Sequence, residues 1–437
     1  MSSHVDLIGV GIWGANVGAV QFDKANNCYA FEYASQWVQQ GIELSPLTMP
    51  LRAARRPFVF PRLSKETYQG LPGMLADALP DKFGNSLIDA WMAGHGVRKE
   101  SITVLDRLAY MGRRGMGALQ FLPPTGDQDT DPAPLQMKAL VEKARRIIRG
   151  DVVHTDEAEE ALAKLIRVGT SAGGARAKAV VGWNPATGEV VSGQFDVPDG
   201  FEHWLVKFDG MGNDAEIGSE ESLGNGNEYG RIEYAYALMA AEAGIQMERC
   251  RLLEENGRAH FMTKRFDRAG NARIHMQSLC GLDHLDYNLT GTNAYEQLFD
   301  VIDRLKLDSA AKTEAFRRMT FNVMARNCDD HTKNHAFLLG RDGRWQLSPA
   351  YDVTFAHNSK GDWTYQHLMS VNRKFDNITR RDLLDVAERF NVPQAKIIIE
   401  KVADTVNAWS KFADKAGISN KRKRVIADKH RPELSGE

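Results

Sequence analysis

The chain has 437 residues, of which 43% are hydrophobic and 26% charged, as in a globular protein of two or three domains. Its 55 Lys and Arg residues nearly balance its 57 Asp and Glu residues, so overall charge indicates neither a nucleic-acid nor a membrane surface. The four cysteines form no CxxC pair, which argues against a disulfide framework or a thiolate zinc site. With no signal-peptide pattern and no long apolar run, we expect a cytoplasmic protein without a membrane partner.

The first part of the chain, residues 1–122, is predicted to form a β meander followed by a helical module. Residues 5–35 alternate short apolar runs with turns, the pattern of a small antiparallel sheet. From Lys65 to about Gly96, apolar residues recur at helical spacings. Residues 123–134, PPTGDQDTDPAP, are rich in Pro, Asp and Gly, which predicts a linker.

The rest of the chain reads as a sheet region followed by a helical region. Two helical segments, 135–149 and 156–167, precede the strand candidates AVVGW, EVVSGQF and HWLVKF. Asn256-Gly257 between two apolar runs indicates a hairpin. This order predicts an α+β fold with a sheet lobe at 135–263 and a helical lobe at 264–437. The motifs within them make the first lobe the candidate for nucleotide binding and the second the candidate for catalysis.

The segment NCDDHTKNHAF, which begins at Asn327, is open to three interpretations. His331 and His335 stand four residues apart and, with Asp329 or Asp330, could hold a metal on one helix face. Asp and Asn also favour caps and turns, so the segment could be a solvated helix end. The third interpretation is a phosphoryl-transfer loop.

Phosphoryl transfer requires a carboxylate that accepts the hydroxyl proton and further oxygen ligands for Mg²⁺. Asp329 and Asn334 are five residues apart, the spacing of Asp and Asn in the HRDxxxxN loop of protein kinases. Asp352, in SPAYDVTF, follows an apparent β pair and stands where a DFG aspartate would. These three residues form the candidate catalytic set.

Upstream segments supply the other parts of such a site. Lys207 lies in an apolar strand, where an unpaired cation is costly, so Glu228 or Glu233 on the next predicted helix is expected to pair with it. The glycines in TSAGGARAK, Thr170–Lys178, allow close backbone approach to phosphates, although a plain β turn would look similar. MTKRFDR, Met262–Arg268, ends the hairpin where a two-lobed kinase has its hinge.

Together these segments resemble the HipA-type serine/threonine kinase toxins of bacterial toxin–antitoxin modules. The resemblance covers nearly the whole chain and rests on LPGMLADALPDKFG, SAGGARAK, LVKF, NEY, RFDR, NCDDHTKN and SPAYD. It implies a protein-kinase-like two-lobed fold with an N-terminal α/β region and an all-helical C-terminal region. It also implies ATP and Mg²⁺ as cofactors.

The resemblance further implies roles for individual residues. Asp329 would be the catalytic base, Lys207 would hold the α- and β-phosphates, and His331 would lie beside the phosphates. Asn334 and Asp352 would bind Mg²⁺. The other nucleotide contacts would come from Ser171, Ala172, Gly173, Gly174, Ala175, Lys178, Lys264 and Phe266.

Regulation and partners are implied in the same way. Ser171 matches an inhibitory autophosphorylation site, where a dianion would repel the phosphates of ATP. The family's partner is HipB, a helix-turn-helix antitoxin dimer, and we expect contact with operator DNA mainly through it. The expected substrate is a protein such as an aminoacyl-tRNA synthetase, whose modification arrests growth.

The sequence departs from the family pattern at Arg176, where Gln is common, and at Lys264, where Glu is common. These departures bear on the phosphate loop and on the adenine contacts. Two other functions remain open at this point: a small-molecule phosphotransferase, and a catalytically inactive corepressor module.

Overall fold

The structure is a computed structural model that describes residues 5–80, 82–125, 178–209, 228–255 and 257–434. The predicted helices at 135–149 and 156–167, most of the predicted linker and the glycine-rich segment before Lys178 lie outside these ranges.

The N-terminal unit begins with the predicted meander. Its first strand buries alternate apolar side chains, which is what holds the strand against the core of the unit. Ile8, Val10 and Ile12 face the core of this unit. A fourth strand joins the meander in the order β3-β2-β1-β4, with every neighbouring pair antiparallel. The strands are β1 Leu7–Ile12, β2 Ala15–Asp23, β3 Cys28–Tyr33 and β4 Leu119–Leu122, and the helices are α1 Ser35–Gln40, α2 Lys65–Tyr68, α3 Gly73–Ala76, α4 Lys82–Gly94 and α5 Val104–Met111.

A five-stranded antiparallel sheet follows, in the order β6-β5-β7-β9-β8. The predicted hairpin joins β8 to β9, and Gly257 there has φ 74°, which glycine adopts without strain. One long helix, α6, begins where the Asp209 carboxylate accepts hydrogen bonds from the backbone N–H groups of Glu228 and Gly230. The elements are β5 Lys178–Trp183, β6 Val190–Ser192, β7 Glu202–Lys207, α6 Tyr229–Glu242, β8 Cys250–Glu255 and β9 Arg258–Lys264.

The C-terminal region is predominantly helical, but it also contains short strands, which corrects the all-helical expectation. Its helices are α7 Leu279–Asp283, α8 Tyr295–Arg304, α9 Ser309–Met324, α10 Arg380–Arg389, α11 Ala395–Asn407, α12 Trp409–Ala416 and α13 Asn420–Ala427. The strands are β10 Arg268–Ala269, β11 Ala272–Arg273, β12 His275–Ser278, β13 Asn293–Ala294, β14 Ala336–Leu339, β15 Trp345–Leu347 and β16 Met369–Ser370. Of these strands, β14 and β15 form the β pair that was predicted before Asp352. Strands β12, β14 and β15 form one small antiparallel sheet. This sheet fixes the end of the segment that begins at Asn327.

The N-terminal unit is packed tightly against the rest of the chain. Its apolar core includes Cys280 of α7 and Leu339 of β14. Helix α3 approaches α7 so closely that a Cβ on Gly73 would lie 2.2 Å from the carbonyl oxygen of Gly281. Within the described residues, no helix has both the length and the apolar character needed to span a bilayer.

Candidate active site

One cavity of about 630 Å³ opens between the five-stranded sheet, the C-terminal region and the N-terminal unit. All the predicted site residues that the structure describes line it: Lys178, Lys207, Lys264, Phe266, Asp329, His331, Asn334 and Asp352. Residues 171–175, the predicted phosphate loop with Ser171, lie outside the described ranges. The structure therefore brings together side chains separated by up to 174 positions in the chain.

Lys207 on β7 is held by two carboxylates at the back of this cleft. Its Nζ lies 2.5 Å from Oε1 of Glu233 on α6, and it also contacts the carboxylate of Asp352. Burial lowers the pKa of Lys207, but the charges of Asp352 and Glu233 outweigh burial and raise the pKa overall. Burial likewise opposes ionisation of Asp352, yet Lys207 and Lys178 bring its pKa below the usual range. Both residues are therefore charged at neutral pH.

Glu228, the other sequence candidate for this ion pair, has different partners. Its carboxylate accepts hydrogen bonds from the backbone N–H and the hydroxyl of Ser419, at 3.1 and 3.0 Å. Arg422 lies 3.2 Å away. Glu233 is thus the partner of Lys207, and Glu228 ties the start of α6 to the C-terminal helices.

Asp329 lies on a loop that leaves the end of α9 and closes in a 3₁₀ turn, Thr332–Asn334. The side-chain amide of Asn334 donates to the backbone carbonyl of Asp329 at 2.8 Å. The Asp329 carboxylate is 39% exposed, and its Oδ1 lies 3.7 Å from Nε2 of His331. Partial enclosure raises the pKa of Asp329, against the opposing effect of His331. The geometry presents one carboxylate at the floor of the cleft.

Asp330, next in the chain, is directed into the protein instead. Its carboxylate accepts hydrogen bonds from the Tyr295 hydroxyl at 2.8 Å, from His367 Nδ1 at 2.9 Å and from the Leu368 backbone N–H at 2.8 Å. Burial lowers the pKa of His367, but Cys328 and Asp330 outweigh burial and raise it to about 10. Asp330 therefore anchors the loop, while the Asp329 side chain lines the cleft.

The metal interpretation based on the two histidines is not supported by the structure. A 3₁₀ turn separates His331 from His335, so the two are not on one α-helix face. Burial lowers the pKa of His335 to about 4, and its ring packs against Tyr295. Across the part of the chain that the structure describes, no group of three or more His, Cys, Asp or Glu side chains could hold a metal.

A magnesium–nucleotide complex makes a different demand on the protein. Mg²⁺ prefers oxygen ligands and commonly takes only one or two from the protein, with phosphates and water completing its shell. The Asp352 carboxylate and the Asn334 amide line the same cavity. The oxygen atoms of these two side chains therefore fit the one or two protein ligands that Mg²⁺ commonly takes.

The hinge candidates lie at the edge of the same cavity. Lys264 Nζ forms an ion pair with Glu202 at 3.0 Å, and the Phe266 ring lies 5.6 Å from the ring of Tyr351. The Arg265 backbone N–H donates to the carbonyl of His203 at 2.9 Å. This contact ties the segment between the two lobes to β7.

Two residues that form hydrogen bonds at the cleft, Trp363 and Asp77, were not predicted as site residues. Trp363 donates its indole N–H to Oδ1 of Asp329 at 2.9 Å, and no local pattern marks it. Asp77 lines the cleft from the N-terminal unit and accepts hydrogen bonds from the backbone N–H of Ser278 at 2.6 Å and from its hydroxyl at 2.8 Å. Asp77 lies inside the quoted motif LPGMLADALPDKFG, which was the available signal.

Comparisons with known proteins agree over both halves of the chain. Residues 170–410 match a family model described as the HipA-like C-terminal domain, and residues 8–122 match one described as the HipA N-terminal domain. A comparison with curated proteins gave no match.

The solved structures that match this chain include a bacterial toxin–antitoxin complex and a bacterial kinase. The toxin–antitoxin complex of HipA, HipB and operator DNA from Shewanella oneidensis MR-1 matches with a TM-score of 0.64 and 15% identity, over 98% of this chain and 95% of that chain. The Helicobacter pylori proinflammatory kinase CtkA matches with a TM-score of 0.36 and 15% identity, over 55% of this chain and 86% of that chain. The expected α+β fold is confirmed, because the Shewanella HipA structure matches over nearly the whole of both chains.

Proposed function

Because the chain belongs to the HipA family, we propose that it is an ATP- and Mg²⁺-dependent serine/threonine protein kinase and the toxin of a toxin–antitoxin module. One observation carries the proposal: Asp329, Asn334, Asp352 and Lys207 line a single cleft. A kinase requires this combination of a base, two metal ligands and a phosphate-binding lysine.

In the proposed reaction, a substrate hydroxyl lies against the Asp329 carboxylate. Asp329 accepts the hydroxyl proton as the new O–P bond forms and the bond from phosphorus to the ADP oxygen breaks. Lys207, oriented by Glu233, would hold the α- and β-phosphates, and Asn334 and Asp352 would hold Mg²⁺. When bound, Mg²⁺ would neutralise the negative charge that develops on the phosphate oxygens during transfer.

The proposal extends to regulation and partners. Autophosphorylation at Ser171 would place a dianion against the phosphates of ATP and so inhibit the enzyme. A HipB-like antitoxin dimer and, through it, operator DNA are the proposed partners, because the similar Shewanella HipA was solved with HipB and its operator. The proposed substrate is a cytoplasmic protein of translation, such as an aminoacyl-tRNA synthetase.

The test compares the parent protein with Asp329→Asn. With labelled Mg²⁺-ATP, we expect the parent to phosphorylate itself or a protein in a cell lysate, and the variant to label nothing while still binding ATP in calorimetry. Equal labelling by the variant would contradict the proposal. The exposed turn variant Asp342→Asn is the matched control and should label as the parent does.

The same measurements separate the two alternatives. A small-molecule phosphotransferase would label metabolites and leave protein bands unlabelled. A corepressor module without activity would bind no ATP in calorimetry.

For the regulatory part of the proposal, mass spectrometry of the active, ATP-incubated protein should find phosphate on Ser171. The absence of phosphate there would refute autophosphorylation at this residue.

A further inference from the structure

The base of the proposed reaction is held at two points. Its backbone carbonyl accepts the amide of Asn334 at 2.8 Å, and its Oδ1 accepts the indole N–H of Trp363 at 2.9 Å. His331 Nε2 lies 3.7 Å from the same Oδ1. Among the residues that the structure describes, Oδ2 of Asp329 has no hydrogen-bond donor. The two oxygens of this carboxylate are therefore in different environments.

The position of Trp363 is set by its own loop. The backbone N–H of Asn358 donates to the carbonyl of Thr364 at 3.2 Å, and that of Gly361 donates back to the carbonyl of Asn358 at 3.1 Å. The side-chain oxygen of Asn358 also accepts the N–H of Lys360 at 3.1 Å. Residues 358–364 thus close on themselves at the rim of the cleft, and they present the indole to Asp329.

A free aspartate side chain rotates easily about its last bond, because that torsion is broad and nearly two-fold. Either oxygen could then face a substrate. A hydrogen bond from a fixed donor to a charged oxygen is stronger than a neutral one and removes this freedom. We propose that Trp363 is a positioning residue for phosphoryl transfer: its N–H holds Oδ1 of Asp329, so that Oδ2 faces the acceptor hydroxyl.

This inference rests on the proposed function, and it adds which oxygen takes the proton. The hydroxyl proton moves to Oδ2, while the indole N–H stays on nitrogen throughout. In the opposite role, the indole would occupy the place of the acceptor hydroxyl and hinder transfer. The two roles predict opposite changes in rate when the N–H is removed.

The first experiment uses Trp363→Phe, which keeps an aromatic ring and removes the donor. The control is Tyr365→Phe, which removes a polar hydrogen from an aromatic ring in the same stretch of chain, where Tyr365 is 43% exposed. Hydrolysis of Mg²⁺-ATP is measured, with water in place of the acceptor hydroxyl. We expect kcat to fall by about 10-fold to 100-fold in Trp363→Phe, as for loss of a hydrogen bond to a charged group, with KM for ATP unchanged.

Tyr365→Phe should change neither parameter. A Trp363→Phe enzyme as fast as the parent would overturn the inference, and a faster one would show that the indole blocks the acceptor site. An equal loss of ATP binding would also overturn it, because Trp363 would then only support the cleft.

The second experiment does not require the protein to be a kinase. Trp363→Phe identifies the Trp363 indole signal in a ¹H–¹⁵N spectrum of the full chain, which contains 8 tryptophans. In Asp329→Ala this signal should shift more than any other indole signal, whereas Asp342→Ala should leave it in place. An unshifted Trp363 signal in Asp329→Ala would refute the contact itself, whatever the activity.

Discussion

In two pairs of residues of the same type, the two side chains have different contacts. Glu228, which immediately precedes α6, and Glu233, within α6, both follow Lys207 in the chain, yet only Glu233 lies 2.5 Å from its Nζ. Asp329 and Asp330 are adjacent, yet the first faces the cleft and the second accepts three hydrogen bonds inside the protein. Neighbours in sequence of the same chemical type are therefore not interchangeable here.

The two glutamates give a matched pair of variants. Glu233→Gln removes a charge that holds Lys207, and we expect phosphoryl transfer to fall by about tenfold or more. Glu228→Gln should leave the rate unchanged, because Glu228 contacts Ser419 and Arg422 instead. Initial rates with labelled ATP check both. Equal rates for the two variants would contradict the role of the Glu233 ion pair.

The Asp330–His367 pair predicts a pH dependence of stability. The folded state raises the pKa of His367 from 6.5 to about 10, so its stabilising effect is complete below pH 6.5 and is lost as the pH rises through 10. His367→Gln should lower the free energy of unfolding by a few kcal/mol near pH 6.5, and the gap to the parent should narrow by pH 10.

Urea unfolding at several pH values measures this gap. His95→Gln, which changes an exposed histidine, is the control and should track the parent across the range. A gap between His367→Gln and the parent that stays constant from pH 6.5 to pH 10 would show that His367 is not charged in the folded protein.

Among the secondary-structure elements, the contact of α3 with α7 places Asp77 at the cleft. It depends on Gly73, because a side chain there would meet the Gly281 carbonyl and the ring of His284. Helix α3 has only four residues, Gly73–Ala76, so its stability comes from this packing rather than from its own hydrogen bonds.

Gly73→Ala tests the contact. The added methyl must push α3 away from α7, and we expect the free energy of unfolding to fall by about 1–3 kcal/mol, as for other overpacked sites. Gly94→Ala in α4 is the control, since a Cβ at Gly94 has no neighbour within 4 Å. Thermal unfolding measures the midpoint temperature of both variants. Equal midpoints for Gly73→Ala and Gly94→Ala would mean that α3 and α7 separate at little free-energy cost.

In the molecule as a whole, a buried ion network joins the N-terminal unit to the rest of the chain. Asp267 lies between Arg265 and Arg268, both 2.7 Å away. Its Oδ2 also accepts the backbone N–H of Gly117 at 2.7 Å. Burial alone would raise the pKa of Asp267, but the two arginines bring it well below its usual range. One carboxylate thus holds two cations and a loop of the N-terminal unit.

Asp267→Asn leaves two buried guanidinium groups without a countercharge. We expect the free energy of unfolding to fall by about 3–5 kcal/mol. Asp342→Asn, at a side chain that is 61% exposed, should change it by less than about 0.5 kcal/mol. Urea midpoints compare the two, and a similar small effect of both would show that the network does not stabilise the assembly of the two units.

The sequence by itself determined the family and predicted most of the main strands and helices. It also predicted Asp329, Asn334, Asp352 and Lys207 as one site; the structure places them in one cleft, and their roles stay predictions. Those residues lie in short segments whose internal spacing reflects local geometry, so the chemistry could be inferred without contacts. The roles assigned to Ser171 and its glycine-rich segment, outside the described residues, stay predictions.

Only the tertiary structure decided that Glu233 rather than Glu228 contacts Lys207, that Trp363 contacts Asp329, and that Asp77 lines the cleft. Each of these contacts joins residues from 26 to 201 positions apart. Such contacts depend on how helices and sheets pack against one another. Local composition and periodicity report on short stretches of chain and do not encode those packing distances.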